Sequence, residues 1–333
     1  MKAFIINRYS RNGGLEQADM PVPEAKDGDV LVEVHAAGLN LLDSKIKTGE
    51  FKLILPYKLP LILGHDVAGI ITRIGKNVKK FKVGDKVYAR AADHSIGTFA
   101  EFIAIDEKDV AFKPENLSME EAASIPLVAL TAWQALVERA QVVNGQKVFI
   151  QAGSGGVGTV AIQLAKHLGA SVATTASAKS FNLLEGLGAD VIVDYKNEDF
   201  EKRLSNYDVV LNSQDKKTLE KSLRILKPGG KLISISGPPT PDFAREVGAS
   251  WFVKLILSLV SARVRRLARK RNVDYSFLFM RAQGEQLGKI TKLIEEETIR
   301  PVVDKVFPFE KTNEALSYIE SGRAKGKIVV KLR

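Results

Sequence analysis

The stretch Gln151-Ala152-Gly153-Ser154-Gly155-Gly156-Val157-Gly158 constrains this chain more than any other, because of what flanks it. Gly153, Gly155 and Gly158 satisfy G-x-G-x-x-G, and Val148-Phe149-Ile150 just before them reads as a buried strand. Val157, Val160, Ala161, Leu164, Ala165 and Leu168 then recur at helical spacing up to Gly169. Backbone without Cβ atoms can lie close against a pyrophosphate, and the open N–H groups of a helix N-terminus favour its charge. A strand-to-helix junction of this composition predicts a dinucleotide site.

The residues beyond the glycine loop extend that unit. Strand-like residues 171–175, 190–193, 207–211 and 231–235 alternate with helical 179–187 and 216–226, and Pro228-Gly229-Gly230 forms a turn. Such alternation implies a parallel sheet with right-handed crossovers. Before about residue 120 the style differs. Short runs such as 30–34, 67–71 and 99–105 are punctuated by Gly13-Gly14, Asp27-Gly28 and Gly84-Asp85, which reads as a β-rich, barrel-like domain. Beyond about residue 275 come a helix at 283–297 and strands at 302–306 and 327–331. The expected fold is α/β, a doubly wound parallel sheet over 123–273 with a β-rich domain built from 1–122 and 274–333.

With 333 residues, 45% hydrophobic and 26% charged, the composition is that of an ordinary globular protein with room for two cores. The absence of cysteine excludes disulfides, thiolate zinc sites and iron–sulfur clusters. Residues 1–6 pass straight into a strand-like pattern with no cleavable signal, so a cytoplasmic location is expected. The net charge of +10 is local: residues 263–271 hold six basic side chains and Lys254 a seventh, without which +3 remains.

Cofactor choice is written about 20 residues past the glycines, where NAD-binding units carry an acid for the ribose 2′-hydroxyl. Here Thr175-Ala176-Ser177-Ala178-Lys179 has none. The hydroxyl of Ser177 and the ammonium of Lys179 suit a 2′-phosphate, and Tyr195 after the next strand offers a phenolic donor, which points to NADPH. The alternative is a helix N-cap at Ser177 followed by a solvated lysine.

Residues 37–43, 64–69, 83–87, 97–102, 130–133, 152–158, 187–190, 228–230 and 322–327, in this order and spacing, resemble the medium-chain dehydrogenase/reductase superfamily, in its zinc-free quinone oxidoreductase and enone reductase branch. The resemblance implies a Rossmann domain beside a GroES-like barrel, with substrate in the cleft between them. It implies cofactor contacts at Leu41, Leu42, Asp43, Thr131, Ser154, Gly155, Gly156, Val157, Ser236, Gly326 and Lys327, besides Ser177, Lys179 and Tyr195. Zinc relatives would place a thiolate at 40, a histidine at 65 and a further thiolate near the Rossmann unit. This chain has Asn40, keeps His65 and lacks the third, so no metal is expected and His65 reads as a structural histidine. Without a Lewis acid the chemistry fits hydride delivery to a quinone or α,β-unsaturated carbonyl. An enoyl-thioester reductase and a non-catalytic NADPH-binding scaffold or RNA-binding protein are the alternatives.

No catalytic residue is assigned. The pocket candidates are Asn40, Asp43, Phe51 and Tyr57, and Asn40 and Asp43 equally suit a turn and helix cap. Phe51 stands where related enzymes often carry tyrosine, so a tyrosine acid at that place is not expected. Asn212-Ser213-Gln214-Asp215 likewise departs from the family pattern. Relatives suggest a homodimer joined through the strand at 231–235. The apolar, then basic, segment 249–271 has three readings: a helix over the substrate cleft, a peripheral membrane contact, or a nucleic-acid site. The last is disfavoured because no aromatics interleave the arginines.

Overall fold

The computed structural model describes residues 1–52, 55–246 and 248–333. The chain divides into two compact units, Met1–Leu130 with Arg281–Arg333, and Thr131–Met280.

The first unit begins with β1 (Lys2–Ile6), β2 (Glu16–Asp19), β3 (Asp29–Leu39), α1 (Leu41–Lys47), β4 (Leu61–Ile62), β5 (Asp66–Ile74), β6 (Lys86–Arg90), β7 (Phe102–Asp106) and β8 (Val110–Phe112). Then come α2 (Met119–Ala123) and α3 (Pro126–Trp133), which enters the second unit. That unit holds β9 (Lys147–Ile150), α4 (Gly156–His167), β10 (Ser171–Ala176), α5 (Phe181–Gly186), β11 (Val191–Asp194), α6 (Phe200–Arg203) and β12 (Tyr207–Asn212). It continues with α7 (Lys216–Ile225), β13 (Leu226–Ser234), α8 (Pro241–Glu246), α9 (Trp251–Lys270) and β14 (Asp274–Phe277). The chain returns to the first unit with α10 (Gly284–Glu295), β15 (Val303–Pro308), α11 (Thr312–Glu320) and β16 (Lys327–Lys331).

In the second unit the strands run in the order β11-β10-β9-β12-β13-β14, every neighbouring pair parallel. This is the doubly wound dinucleotide-binding order, in which the chain crosses from the edge strand β11 back to β12 on the other side of β9. Phe149, Val193, Val210, Leu219, Leu223, Leu232, Val264 and Tyr275 fill one face of its core. The first unit is built on a mostly antiparallel sheet, β15-β16-β3-β5-β6-β8 with β7 also on β3, and a smaller sheet β2-β1-β4. Alternate residues of β3 (Val30, Val32, Val34) enter a core shared with Val67, Ile71, Phe99 and Ile328.

Three expectations are corrected. Asp274–Phe277, which the sequence placed with the β-rich unit, is the sixth strand of the parallel sheet. The strand at 231–235, through which a homodimer was expected to join, is therefore interior, between β12 and β14, and the edges are β11 and β14. The turn Pro228-Gly229-Gly230 lies within β13, where Gly229 takes φ +82° and the register against β12 shifts.

Candidate active site

The glycine loop lies at the carboxyl end of β9, and its glycines answer two different demands. A Cβ on Gly153 would stand 2.2 Å from Thr174 Oγ1, and one on Gly158 2.4 Å from the Ala152 carbonyl oxygen. Those two let the loop, the helix and β10 close on one another. At Gly155 the same Cβ would meet only the Ala152 oxygen, at 3.3 Å. This glycine faces open space at the N-cap of α4, where the first-turn N–H groups have no helical partner. No acidic side chain occupies that first turn, and Lys166 and His167 sit in the last. The loop is itself tied down: Ala152 N–H donates to Thr175 Oγ1 (3.1 Å) and Gly153 N–H to the Thr175 carbonyl (3.0 Å). The residues Ser154, Gly155, Gly156 and Val157 thus form a cradle suited to a pyrophosphate.

At the neighbouring strand ends, Ser177 follows β10, Lys179 lies in the short 3-10 turn after it, and Tyr195 follows β11 with 61% of its surface exposed. Tyr195 N–H donates to the Ala176 carbonyl (3.3 Å), which joins the two loops. Ser177 occupies the N-cap position, but its side chain accepts no capping hydrogen bond. The acid at the end of β11, Asp194, is turned inward to Lys196 N–H (3.1 Å) and Asn197 Nδ2 (2.8 Å).

A buried polar ladder beneath this surface is absent from the sequence-based expectations. Asn212 Nδ2 donates to Gln151 Oε1 (2.7 Å), Ser234 Oγ to Asn212 Oδ1 (2.6 Å), and Gln151 Nε2 to Ser222 Oγ (2.6 Å). It crosses the carboxyl ends of β9, β12 and β13 and gives the departure at Asn212 a structural reason. Asp215 in the same segment caps α7 by accepting from Thr218 N–H (2.8 Å). Ser236, just past β13, donates to the Gln214 carbonyl (2.6 Å). Thr131 is buried on α3.

In the first unit the candidates gather where α1 meets the starts of β5 and β16. Asp43 accepts the Asn40 N–H (2.8 Å) with one carboxylate oxygen and holds His65 Nδ1 (2.6 Å) with the other, so it serves both as helix cap and as partner of the histidine. Asn40 Nδ2 donates to Asp66 Oδ2 (3.0 Å), and the other Asp66 oxygen accepts Leu127 N–H (2.8 Å). Lys327 spends its three ammonium protons on the Leu39 carbonyl (2.9 Å), Asn40 Oδ1 (2.5 Å) and Asp66 Oδ2 (3.0 Å). It is a buried support under Asn40 and offers no donor to a cofactor. Gly326 is likewise required by packing: with φ +89°, a Cβ there would stand 2.1 Å from the Val302 carbonyl oxygen. Leu41 is exposed at the start of α1, while Leu42 and Phe51 pack on the core.

Three buried polar atoms of this unit, His65 Nε2, Tyr57 Oη and Thr98 Oγ1, have no hydrogen-bond partner among the described residues. Asp93, Arg90 and Asp43 are the charges that act on Tyr57, which sets the phenol on the Asp43 side of the unit. Burial, with Asp93 adding to it, raises its pKa above the ordinary tyrosine range, so the hydroxyl keeps its proton and remains a hydrogen-bond donor. Open donors and acceptors in such surroundings mark a place for a ligand or water.

Residues 26–115 match the family model described as an alcohol dehydrogenase GroES-like domain, and 187–330 that of a zinc-binding dehydrogenase. A 2-methylene-furan-3-one reductase of Solanum lycopersicum is 36% identical over 341 residues, covering 99% of this chain and 79% of the relative. An NADPH-dependent alkenal/one oxidoreductase of Arabidopsis thaliana is also 36% identical, with the same 99% and 79% coverage. Among solved structures, the quinone oxidoreductase of Coxiella burnetii superposes with a TM-score of 0.86 at 31% identity, covering 100% of this chain and 99% of its own. The chain belongs to the medium-chain dehydrogenase/reductase superfamily, in its quinone oxidoreductase branch, and it is an oxidoreductase.

The zinc in the family description does not suit the donors present. Zinc needs thiolate, imidazole or carboxylate ligands in tetrahedral number. Here position 40 offers a neutral amide, and the Lys327 ammonium already lies within 3.0 Å of Asp66. Among the described residues no cluster of three His, Cys, Asp or Glu side chains is placed to hold a metal.

Proposed function

We propose that this protein is an NADPH-dependent, zinc-independent reductase that delivers hydride to a quinone or an α,β-unsaturated carbonyl. The observation that carries the reading is the end of β10. Ser177 and Lys179 follow β10 and Tyr195 follows β11, beside the β9 end where Gly155 keeps a helix N-terminus open, and the acid at the end of β11, Asp194, is bound to Lys196 N–H and Asn197 Nδ2. A 2′-phosphate would find a hydroxyl and an ammonium where an NAD enzyme presents a repelling acid. When bound, the reduced nicotinamide supplies the hydride.

This chain's residues supply the rest. The α4 N-terminus holds the pyrophosphate, and the Gln151–Asn212–Ser234 ladder keeps the three strand ends in register beneath it. As hydride reaches the electron-poor carbon, negative charge grows on the acceptor's oxygen. The Tyr57 hydroxyl, which keeps its proton and has no partner among the described residues, is the donor for that oxygen, and Asp43 fixes the His65 ring. Tyr57 works as a hydrogen-bond donor and the proton comes from solvent. Removing such a donor commonly costs on the order of 10- to 1000-fold in kcat. Tyr57→Phe is therefore expected to lower kcat at least about tenfold with KM little changed; an unaltered kcat would remove Tyr57 from the site. The names of the tomato and Arabidopsis relatives, an enone-type reductase and an alkenal/one oxidoreductase, support the acceptor class.

The functional form is a homodimer, made by pairing of the β14 edge with its symmetry mate. Light scattering at micromolar concentration should give twice the monomer mass; a monomer mass would contradict it.

A further inference from the structure

The helix α9 is divided along its length. Leu257, Ser261, Val264 and Ala268, spaced four, three and four apart, are the side it buries against the second unit. Its opposite side carries Trp251, Phe252, Leu255, Ile256 and Leu259, among which Trp251 is 77% and Leu259 71% exposed. At about 100° per residue these five lie within an arc of roughly 140°, over about 12 Å of helix. Further along, the same arc continues as Arg263, Arg266 and Lys270, with Arg269 at its margin and Arg271 just past the end of the helix. No residue of α9 is acidic. Arg263 is held by Glu220, and Arg265 folds back on Ser258 and Ser261. Arg266, Arg269, Lys270 and Arg271 have no carboxylate within ion-pair distance among the described residues.

A surface that is apolar for three turns and cationic for the next two asks for a partner with the converse layout: an apolar interior under an anionic skin. A second copy of the chain does not provide it. Paired antiparallel, each arginine cluster would be buried against the other's apolar stretch without a counter-charge; paired parallel, cluster would face cluster. Nucleic acid would satisfy the arginines and leave the apolar turns in water. We propose that α9 docks this enzyme on an anionic lipid bilayer. Trp251, Phe252, Leu255, Ile256 and Leu259 enter the headgroup–acyl boundary, and Arg266, Arg269, Lys270 and Arg271 bind lipid phosphates. Among the described residues no helix is long and apolar enough to cross a membrane, so the contact is peripheral. It would place a reductase of lipophilic acceptors at the phase in which they dissolve.

The test uses the full chain with vesicles of phosphatidylcholine and phosphatidylglycerol (about 3:1) or of phosphatidylcholine alone, at low and at about 0.5 M salt. The protein is expected to sediment with the anionic vesicles at low salt, and at least about tenfold less with neutral vesicles or at high salt. Trp251 and Trp133 are the two tryptophans, so a blue shift of emission on binding should vanish in Trp251→Phe and persist in Trp133→Phe. Leu255→Gln/Leu259→Gln, both exposed, should abolish sedimentation while leaving NADPH oxidation with a soluble acceptor unchanged. The proposal is overturned by absence of sedimentation at low salt, or by binding that is indifferent to the double leucine variant. It is equally overturned if that variant dissolves a dimer, or if single-stranded RNA binds at least as tightly as the anionic vesicles.

Discussion

At Gly153 and Gly155 the same residue type serves opposite ends, and the difference is measurable. Gly153→Ala forces a Cβ to 2.2 Å from Thr174 Oγ1, within a strand packed on both faces, whereas Gly155→Ala meets one oxygen at 3.3 Å. Overpacking of this sort costs about 1–3 kcal/mol. Gly153→Ala should lower the urea midpoint and cofactor affinity together; Gly155→Ala should leave the midpoint within error and weaken only cofactor binding. Urea titrations with and without cofactor decide between the two. Lys179→Ala should weaken NADPH about tenfold or more and NADH less than twofold, read by fluorescence titration; equal losses would count against a 2′-phosphate at β10. A third residue acts through pH. Burial raises the Asp109 carboxyl to about 6, above the usual range near 4, so between those values the folded chain holds a proton that the unfolded chain has released. Stability contributed by that proton is present below pH 4 and is lost as pH rises to 6, by up to ~2 kcal/mol. Asp109→Asn should therefore stabilise the protein at pH 7.5 more than at pH 5, checked by urea unfolding at both.

Elements reveal why some of this was legible in the sequence and some was not. The unit β9–α4 could be read directly, because a strand, a glycine turn and an apolar helical stripe are all local patterns. The strand β14 could not: Asp274–Phe277 is four residues long and follows a 20-residue helix, and only its pairing with β13 makes it a strand. That pairing also moved the sheet edge away from 231–235. Site residues divide the same way. The positions of Ser177 and Lys179 follow from counting along the chain. The Lys327–Asn40–Asp66 and Gln151–Asn212–Ser234 networks join residues up to 287 apart in sequence, and no local pattern announces which buried amide meets which ammonium. His65 was legible only by half. Its bond to Asp43 fits a structural histidine, but that its Nε2 lacks a partner among the described residues is a property of the packed unit alone.

On the scale of the molecule, the parallel unit presents an open helix N-terminus at its strand ends, and the β-rich unit ties Asn40, Asp43, His65, Asp66 and Lys327 into one buried network. The proposed function therefore stands or falls on a reaction. The direct measurement is oxidation of NADPH and of NADH, in the presence of a chelator, against a panel of quinones, enones and enoyl thioesters. NADPH should be consumed with at least one quinone or enone, at a kcat/KM about tenfold or more above that for NADH, with no loss of rate to the chelator. A preference for NADH, a chelator-sensitive rate, or no turnover with any acceptor would contradict it.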